Sequence, residues 1–107
     1  MSSVKKPALK ELDLVGQIKR VFGEEAHIAL SIAKAESGLN CKVISKPNKN
    51  GTKDSGLFQL NSAFHPYIPD CLENMLRAKK IRDQWGNYNA WSVCKNGKVN
   101  CKLYENL

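Results

Sequence analysis

Long apolar runs are missing from this chain of 107 residues. No stretch of about 18 apolar residues occurs, so the sequence predicts no membrane insertion. Residues 1–8 also lack an apolar core, which argues against a signal peptide in that segment. We expect residues 1–8 to be a disordered tail or a remnant of expression, and residues 9–107 to form one domain. We also expect the protein to be a monomer.

Metal-ligand spacing is missing as well. The two histidines, His27 and His65, stand far apart in the chain, and no Cys-x-x-Cys pair occurs. The sequence therefore implies no zinc site, and we find no sign of an organic cofactor.

Acidic residues are scarce, with 10 Asp and Glu against 17 Lys and Arg and a formal net charge of +7. Such a balance favours an acidic partner, which is nucleic acid, an anionic membrane surface or an anionic wall polymer. Helix-turn-helix, zinc-finger and aromatic RNA-binding motifs are absent from the sequence, so we expect no nucleic-acid partner.

Four cysteines are present: Cys41, Cys71, Cys94 and Cys101. An even count in a small chain is typical of a disulfide framework in an oxidising compartment, so we expect a secreted or cell-envelope protein. Three pairings are possible. Cys94 and Cys101 flank a turn-rich loop that closes easily, and Cys41 with Cys71 would then tie the loop region to a later helix. Four free, buried thiols are the alternative.

Apolar spacing predicts a mostly helical α+β domain. We expect helices from Lys10 to Phe22, from Glu24 to Ser37, from about Asp70 to Gly86 and from about Tyr88 to Lys95. The second is rich in alanine and should be the central, buried helix. Turn residues at 42–61 predict a small antiparallel sheet that forms one wall of a groove.

Two carboxylates stand out in this arrangement. Glu36 closes the apolar helix, where loss of hydration would raise its pKa and let it donate a proton. Asp54 lies in a turn among polar side chains that are able to hydrogen-bond an ionised carboxylate. Two acids in contrasting settings are the pair that cleavage of a glycosidic bond requires. Each also has a plain interpretation, as a solvent-facing helix end for Glu36 and as an ordinary turn residue for Asp54.

A resemblance favours the catalytic interpretation. Glu36-Ser37-Gly38, the later run Asp54-x-Gly56-Leu57-Phe58-Gln59-Leu60-Asn61-Ser62 and the stretch Asn87-Tyr88-Asn89-Ala90-Trp91 follow one another in this order. Together they resemble the catalytic region of the lysozyme superfamily, in both its chicken-type lysozymes and its soluble lytic transglycosylases, and the chain looks bacterial or phage-like. The resemblance spans roughly residues 24–97 and implies a lysozyme-like fold with a substrate cleft.

Site residues follow from this resemblance position by position. It implies that Glu36 is the general acid and Asp54 the second catalytic carboxylate. The residues that it places at the substrate are Ser37, Asn48, Gln59, Asn61, Tyr88, Ala90 and Trp91. Of these, Trp91 would pack against the acid.

The activity implied is that of a peptidoglycan muramidase, a glycoside hydrolase that would degrade cell walls and so be antimicrobial. It would cut the β-1,4 bond between N-acetylmuramic acid and N-acetylglucosamine in glycan strands. A lytic transglycosylase that releases 1,6-anhydromuropeptides is the close alternative, and a non-catalytic wall-binding relative is a third.

Overall fold

The computed structural model describes residues 6–103. These residues contain four α-helices and one two-stranded sheet, joined by loops. The helices are α1 (Leu14–Phe22), α2 (Ala26–Ser37), α3 (Cys71–Trp85) and α4 (Ser92–Lys95), and the strands are β1 (Asp54–Ser55) and β2 (Leu60–Asn61). Short 3-10 turns cover Leu9–Glu11 and Gly23–Glu25. The predicted mostly helical α+β architecture is confirmed. Within the described residues, no helix is long and apolar enough to cross a membrane.

The predicted tail, residues 1–8, lies mostly outside the described residues. Of its described part, the backbone oxygen of Pro7 accepts a hydrogen bond of 2.6 Å from Arg20 on α1. Residue Ala8 precedes the first 3-10 turn, and its oxygen accepts from the backbone N–H of Glu11 at 2.9 Å. Pro7 and Ala8 are therefore hydrogen-bonded to the start of the domain.

Helix α1 begins later than its apolar stripe predicts, at Leu14 instead of Lys10. The carboxylate of Asp13 accepts a hydrogen bond of 2.7 Å from the backbone N–H of Gly16 and caps the helix. This cap fixes the first turn, since an unpaired N–H at a helix start gains most from a side-chain acceptor. Gly23, with a φ of 57°, ends the helix as predicted.

Helix α2 is the buried centre of the domain, as predicted, although it begins at Ala26 because Glu24 and Glu25 form a 3-10 turn. Ala29, Ile32 and Ala33 are fully buried, and the two alanines allow α1 to pack closely against this face. The helix ends at Gly38, whose left-handed φ of 61° suits glycine.

The sheet is confirmed as antiparallel but is very short. Asp54 pairs with Asn61 and Ser55 with Leu60, and Ile44 adds one isolated bridge to Ser55. Side chains supply much of the remaining support. The hydroxyl of Ser45 accepts from the backbone N–H of Asp54 at 2.9 Å, for example, so the wall depends on individual contacts.

Helix α3 follows its local signals closely. Asp70 caps it by accepting from the backbone N–H of Glu73 at 2.8 Å, and Gly86 ends it. On its buried face lies Asn74, which is fully shielded from solvent and bonds to the backbone of the sheet region. Gly56 must be a glycine at this contact, because its φ is 82° and a Cβ would meet the amide of Asn74.

The last predicted helix, Tyr88 to Lys95, is wrong in its first half: α4 is Ser92–Lys95 alone. Two aromatic side chains hold the preceding segment in another shape. The Tyr88 hydroxyl donates to Glu25 at 2.7 Å, and the indole N–H of Trp91 donates to the backbone oxygen of Phe58 at 2.9 Å. The side chain of Asn87 also accepts from the backbone N–H of Asn89, a local bond that competes with helix formation.

The disulfide framework is present, and of the three possible pairings it has the one that loop closure favours. Cys41 is bonded to Cys71, and Cys94 is bonded to Cys101. The first joins the segment after α2 to the start of α3, and the second closes the loop 95–100 after α4. The alternative of four free thiols is excluded.

Candidate active site

A cleft of about 600 Å³ opens between the end of α2, the sheet, the second half of α3 and the segment before α4. Glu36 and Asp54 both line this cleft. The chain therefore brings together the two acids that sequence analysis selected, which lie 18 positions apart in the sequence, on different structural elements.

Glu36 occupies the last turn of α2, just before the capping Gly38, and its side chain is half-buried. Burial raises the pKa of Glu36, because the charged form loses hydration, and the negative charge of Asp54 raises it further. The positive charge of Lys98 opposes both effects. The result is a carboxylic acid that keeps its proton to higher pH than an ordinary glutamate.

Asp54 lies on β1, directly across the sheet from Asn61. The side-chain amide of Asn61 donates to one carboxylate oxygen of Asp54 at 3.0 Å, and that of Asn48 donates to the other at 3.4 Å. Both amides also donate to the hydroxyl of Thr52, at 3.0 and 3.1 Å, which fixes their direction. These hydrogen bonds hold the carboxylate group of Asp54 in a defined orientation.

The two acids therefore have different environments in the same cleft. Glu36 is partly desolvated and keeps its proton to higher pH, whereas the carboxylate of Asp54 accepts hydrogen bonds from two side-chain amides. A group bound in the cleft has both carboxyl groups in its lining.

Gln59, Ala90 and Trp91 also line the cleft. Gln59 has a φ of 51°, and its side-chain nitrogen donates to the backbone oxygens of Val43 and Gly56 at 3.1 and 2.9 Å, which fixes the side chain in the wall. Trp91 is only 5% exposed, and its ring packs against Phe58 with centroids 6.0 Å apart. Trp91 and Glu36 line the same cleft.

Ser37 and Tyr88 are not among the residues that line the cleft. The Ser37 hydroxyl is buried and donates to the backbone oxygens of Ala33 and Leu57, at 2.9 and 2.7 Å. Tyr88 is 1% exposed and bonds to Glu25. Ser37 joins the end of α2 to the sheet region, and Tyr88 joins the segment before α4 to the 3-10 turn before α2. Asn48 is not in the cleft lining either, and its amide donates to Thr52 and Asp54.

The comparison with protein families gives a match to a lysozyme-like domain over residues 17–93, well over half of the chain. The chain belongs to this lysozyme-like domain family. The matched range contains every residue that lines the cleft, from Glu36 to Ser92. The comparison with curated proteins gave no match.

The lysozyme-like domain has cleft residues that sequence reasoning missed. Phe64 and Trp85 are aromatic side chains in the lining that are 82% and 58% exposed. Ile81, Gln84 and Trp85 all line the cleft from α3, and their spacing of three and four residues marks one helix face. This spacing is the sequence signal that could have identified the cleft face of α3. A tryptophan that is exposed on a helix surface does not pack into the core and is therefore available to a ligand.

His65 is a further missed residue in the lining of the lysozyme-like domain. Its Nδ1 atom is shielded from solvent and has no hydrogen-bond partner among the described residues. Burial lowers the pKa of His65, and the positive charge of Arg77 lowers it further. Across residues 6–103, no group of three His, Cys, Asp or Glu side chains is placed to hold a metal ion.

Proposed function

We propose that this lysozyme-like domain is a peptidoglycan muramidase, which hydrolyses the β-1,4 bond between N-acetylmuramic acid and N-acetylglucosamine. The observation that carries the proposal is the state of Glu36. It faces a cleft, it shares that cleft with Asp54, and its pKa is raised by burial. A carboxyl group that keeps its proton to higher pH is better able to protonate the departing glycosidic oxygen.

In the proposed reaction, Glu36 donates its proton to the glycosidic oxygen as the bond to the muramic acid carbon breaks. The negative charge of Asp54 stabilises the positive charge that develops on the sugar, or its oxygen attacks the carbon. Glu36, now ionised, then takes a proton from a water molecule, which adds to the same carbon and restores the acid. The amides of Asn48 and Asn61 hold Asp54 in place for both steps.

The composition of the chain fits such a substrate. A formal net charge of +7 attracts the protein to an anionic wall polymer. The two disulfides suit an oxidising compartment, so we place the protein outside the cytoplasm, in the envelope or secreted.

Digestion of purified peptidoglycan tests the proposal, with mass analysis of the fragment ends. The parent protein should release fragments with reducing N-acetylmuramic acid ends. Glu36→Gln should slow the release by roughly 100-fold or more, because general acid catalysis contributes about that factor. Glu24→Gln, which changes an exposed acid outside the cleft, is the matched control and should digest like the parent.

Three results would contradict the proposal. Fragments that end in 1,6-anhydromuramic acid would reassign the reaction to lytic transglycosylation with the same acid. Undiminished digestion by Glu36→Gln would remove Glu36 from the reaction. Sedimentation of the parent protein with walls that stay intact would indicate a binding module without catalysis.

A further inference from the structure

A second cavity, of about 400 Å³, lies beside the loop that the Cys94–Cys101 disulfide closes. Its lining includes Asn89, Gly97, Asn100 and Lys102, together with the disulfide itself. None of these residues lines the catalytic cleft. The cavity is therefore a separate feature that the proposed reaction does not use.

The second cavity nevertheless adjoins the cleft through one short segment. Ala90 and Ser92 line the cleft, while Asn89 and Cys94 line the second cavity. Neighbouring residues of the same segment thus face different spaces. The two spaces therefore lie on either side of this short segment.

The loop beside this cavity is positively charged without compensation. Residues 84–103 contain Lys95, Lys98 and Lys102 but no Asp or Glu. In the part of the chain that the structure describes, none of the three lysines forms a salt bridge. Their charges are therefore available to an anion from outside the protein.

The backbone holds this loop in a defined shape. The side chains of Asn96 and Asn100 accept from the backbone N–H groups of Lys98 and Lys102, at 2.9 and 3.2 Å. The N–H of Val99 donates to the backbone oxygen of Val93 at 2.8 Å, and the disulfide closes the base. A loop fixed in this way presents its lysines at low entropic cost to a ligand.

The loop also acts electrostatically on one residue of the cleft. The positive charge of Lys98 lowers the pKa of Glu36, which means that its ammonium group lies near enough to act on the catalytic acid. Lys98 lines neither space itself, but it belongs to the loop whose Gly97 and Val99 line the second cavity.

We propose that this second cavity, with Lys102 in its lining and Lys98 on the same loop, binds carboxylates carried by the substituents of the glycan strand, so that the protein prefers a peptide-bearing wall to a neutral polysaccharide. This inference rests on the proposed function, since it takes the glycan to lie in the cleft. Peptidoglycan offers carboxylates from two sources, the stem peptides and, where the peptide is removed, the free lactyl group. We assign the site to the stem peptides, because a cavity beyond the cleft suits a long substituent better than a group attached directly to the sugar ring.

Binding measurements with the Glu36→Gln protein test this inference without turnover. Three ligands of equal sugar length are compared by calorimetry: a peptide-bearing muropeptide oligomer, the same oligomer stripped of peptide by an amidase, and a neutral N-acetylglucosamine oligomer. Lys98→Gln/Lys102→Gln should weaken binding of the peptide-bearing oligomer roughly fivefold to tenfold, the effect of two partly exposed charge-assisted contacts. Binding of the neutral oligomer should stay within about twofold.

Two controls separate the loop from net charge. Lys19→Gln removes one charge from α1, which lines neither space, and should leave all three affinities unchanged. Lys98→Arg/Lys102→Arg keeps the charge and should bind the peptide-bearing oligomer like the parent. Loss of the preference at high salt would accompany a true charge contact.

Each remaining outcome decides a separate question. Equal weakening of the peptide-bearing and neutral oligomers would overturn the inference, and weakening of the stripped oligomer alone would assign the site to the lactyl carboxylate instead. If the parent protein fails to cleave peptidoglycan while the preference for peptide-bearing oligomer persists, the proposed reaction is wrong but the binding site stands.

Discussion

Replacement of Asn74 by alanine should lower the free energy of unfolding by about 3 kcal/mol. The Asn74 side chain is fully buried and makes three hydrogen bonds to backbone groups, two in the sheet region and one in the connection before α3. Its oxygen accepts from the N–H of Phe58 at 2.9 Å, and its nitrogen donates to the oxygens of Ile68 and Ser55, at 3.2 and 3.4 Å. Each hydrogen bond contributes about 1 kcal/mol net to the free energy of unfolding, and in the variant the N–H of Phe58 would be buried without a hydrogen-bond acceptor.

A second variant separates lost hydrogen bonds from lost volume. Asn74→Leu fills the same space with apolar atoms, but it leaves the N–H of Phe58 equally unpaired. Urea unfolding of the parent, Asn74→Ala and Asn74→Leu should therefore show both variants destabilised by at least about 2 kcal/mol. Asn89→Ala, at an exposed asparagine, is the control and should change stability by no more than about 0.5 kcal/mol.

The result that would refute this reasoning is specific. If Asn74→Leu unfolds at the same urea concentration as the parent, the side chain acts only by filling space. In that case α3 would not hold the sheet through directed bonds. The contacts of Asn74 with the segment that carries Asp54 and Gln59 would then have no part in shaping the cleft wall.

Further predictions concern the acid and the disulfides. The pKa of Glu36 should fall in Asp54→Asn, because a negative charge that raises it is removed; carboxyl titration by NMR measures this, and an unchanged pKa would contradict the coupling. Since the protonated form donates, the activity of the parent should be lost as pH rises through the raised pKa. Replacing both cysteines of the Cys41–Cys71 bridge by serine, with a sequence separation of 30, should cost about 3.6 kcal/mol, against about 2.4 kcal/mol for Cys94–Cys101, with a separation of 7. Thermal unfolding compares the two variants, and the reverse order would contradict the loop-entropy account.

Much of the fold could be predicted because its signals are local. Asp70 and Gly86 bound α3 through a cap and a left-handed glycine, and both are visible in the sequence. The helix predicted at residues 88–95 is wrong in its first half because a contact far away in the sequence determines the backbone there. Tyr88 bonds to Glu25, which precedes it by 63 positions, and no pattern within a short window contains that partner.

In the candidate site, too, the residues with local sequence signals could be predicted, and those that depend on distant contacts could not. Glu36 and Asp54 were selected from their local settings and the resemblance, and the structure places both in one cleft. The burial of Tyr88 cannot be predicted in this way, because its sequence neighbours say nothing about its distant partners. Phe64 and Trp85 were missed because their role depends on a groove that exists only after distant elements meet.

The shortness of the sheet has a consequence for how this protein responds to substitution. With only two residues in each strand, the wall beside Asp54 depends on side-chain bonds, such as those of Ser45 and Asn61. The amides of Asn48 and Asn61 share the Thr52 hydroxyl and the Asp54 carboxylate as acceptors, so these side chains form one linked network. A substitution within that network should therefore reshape the wall beside Asp54 while α2 keeps Glu36 in place.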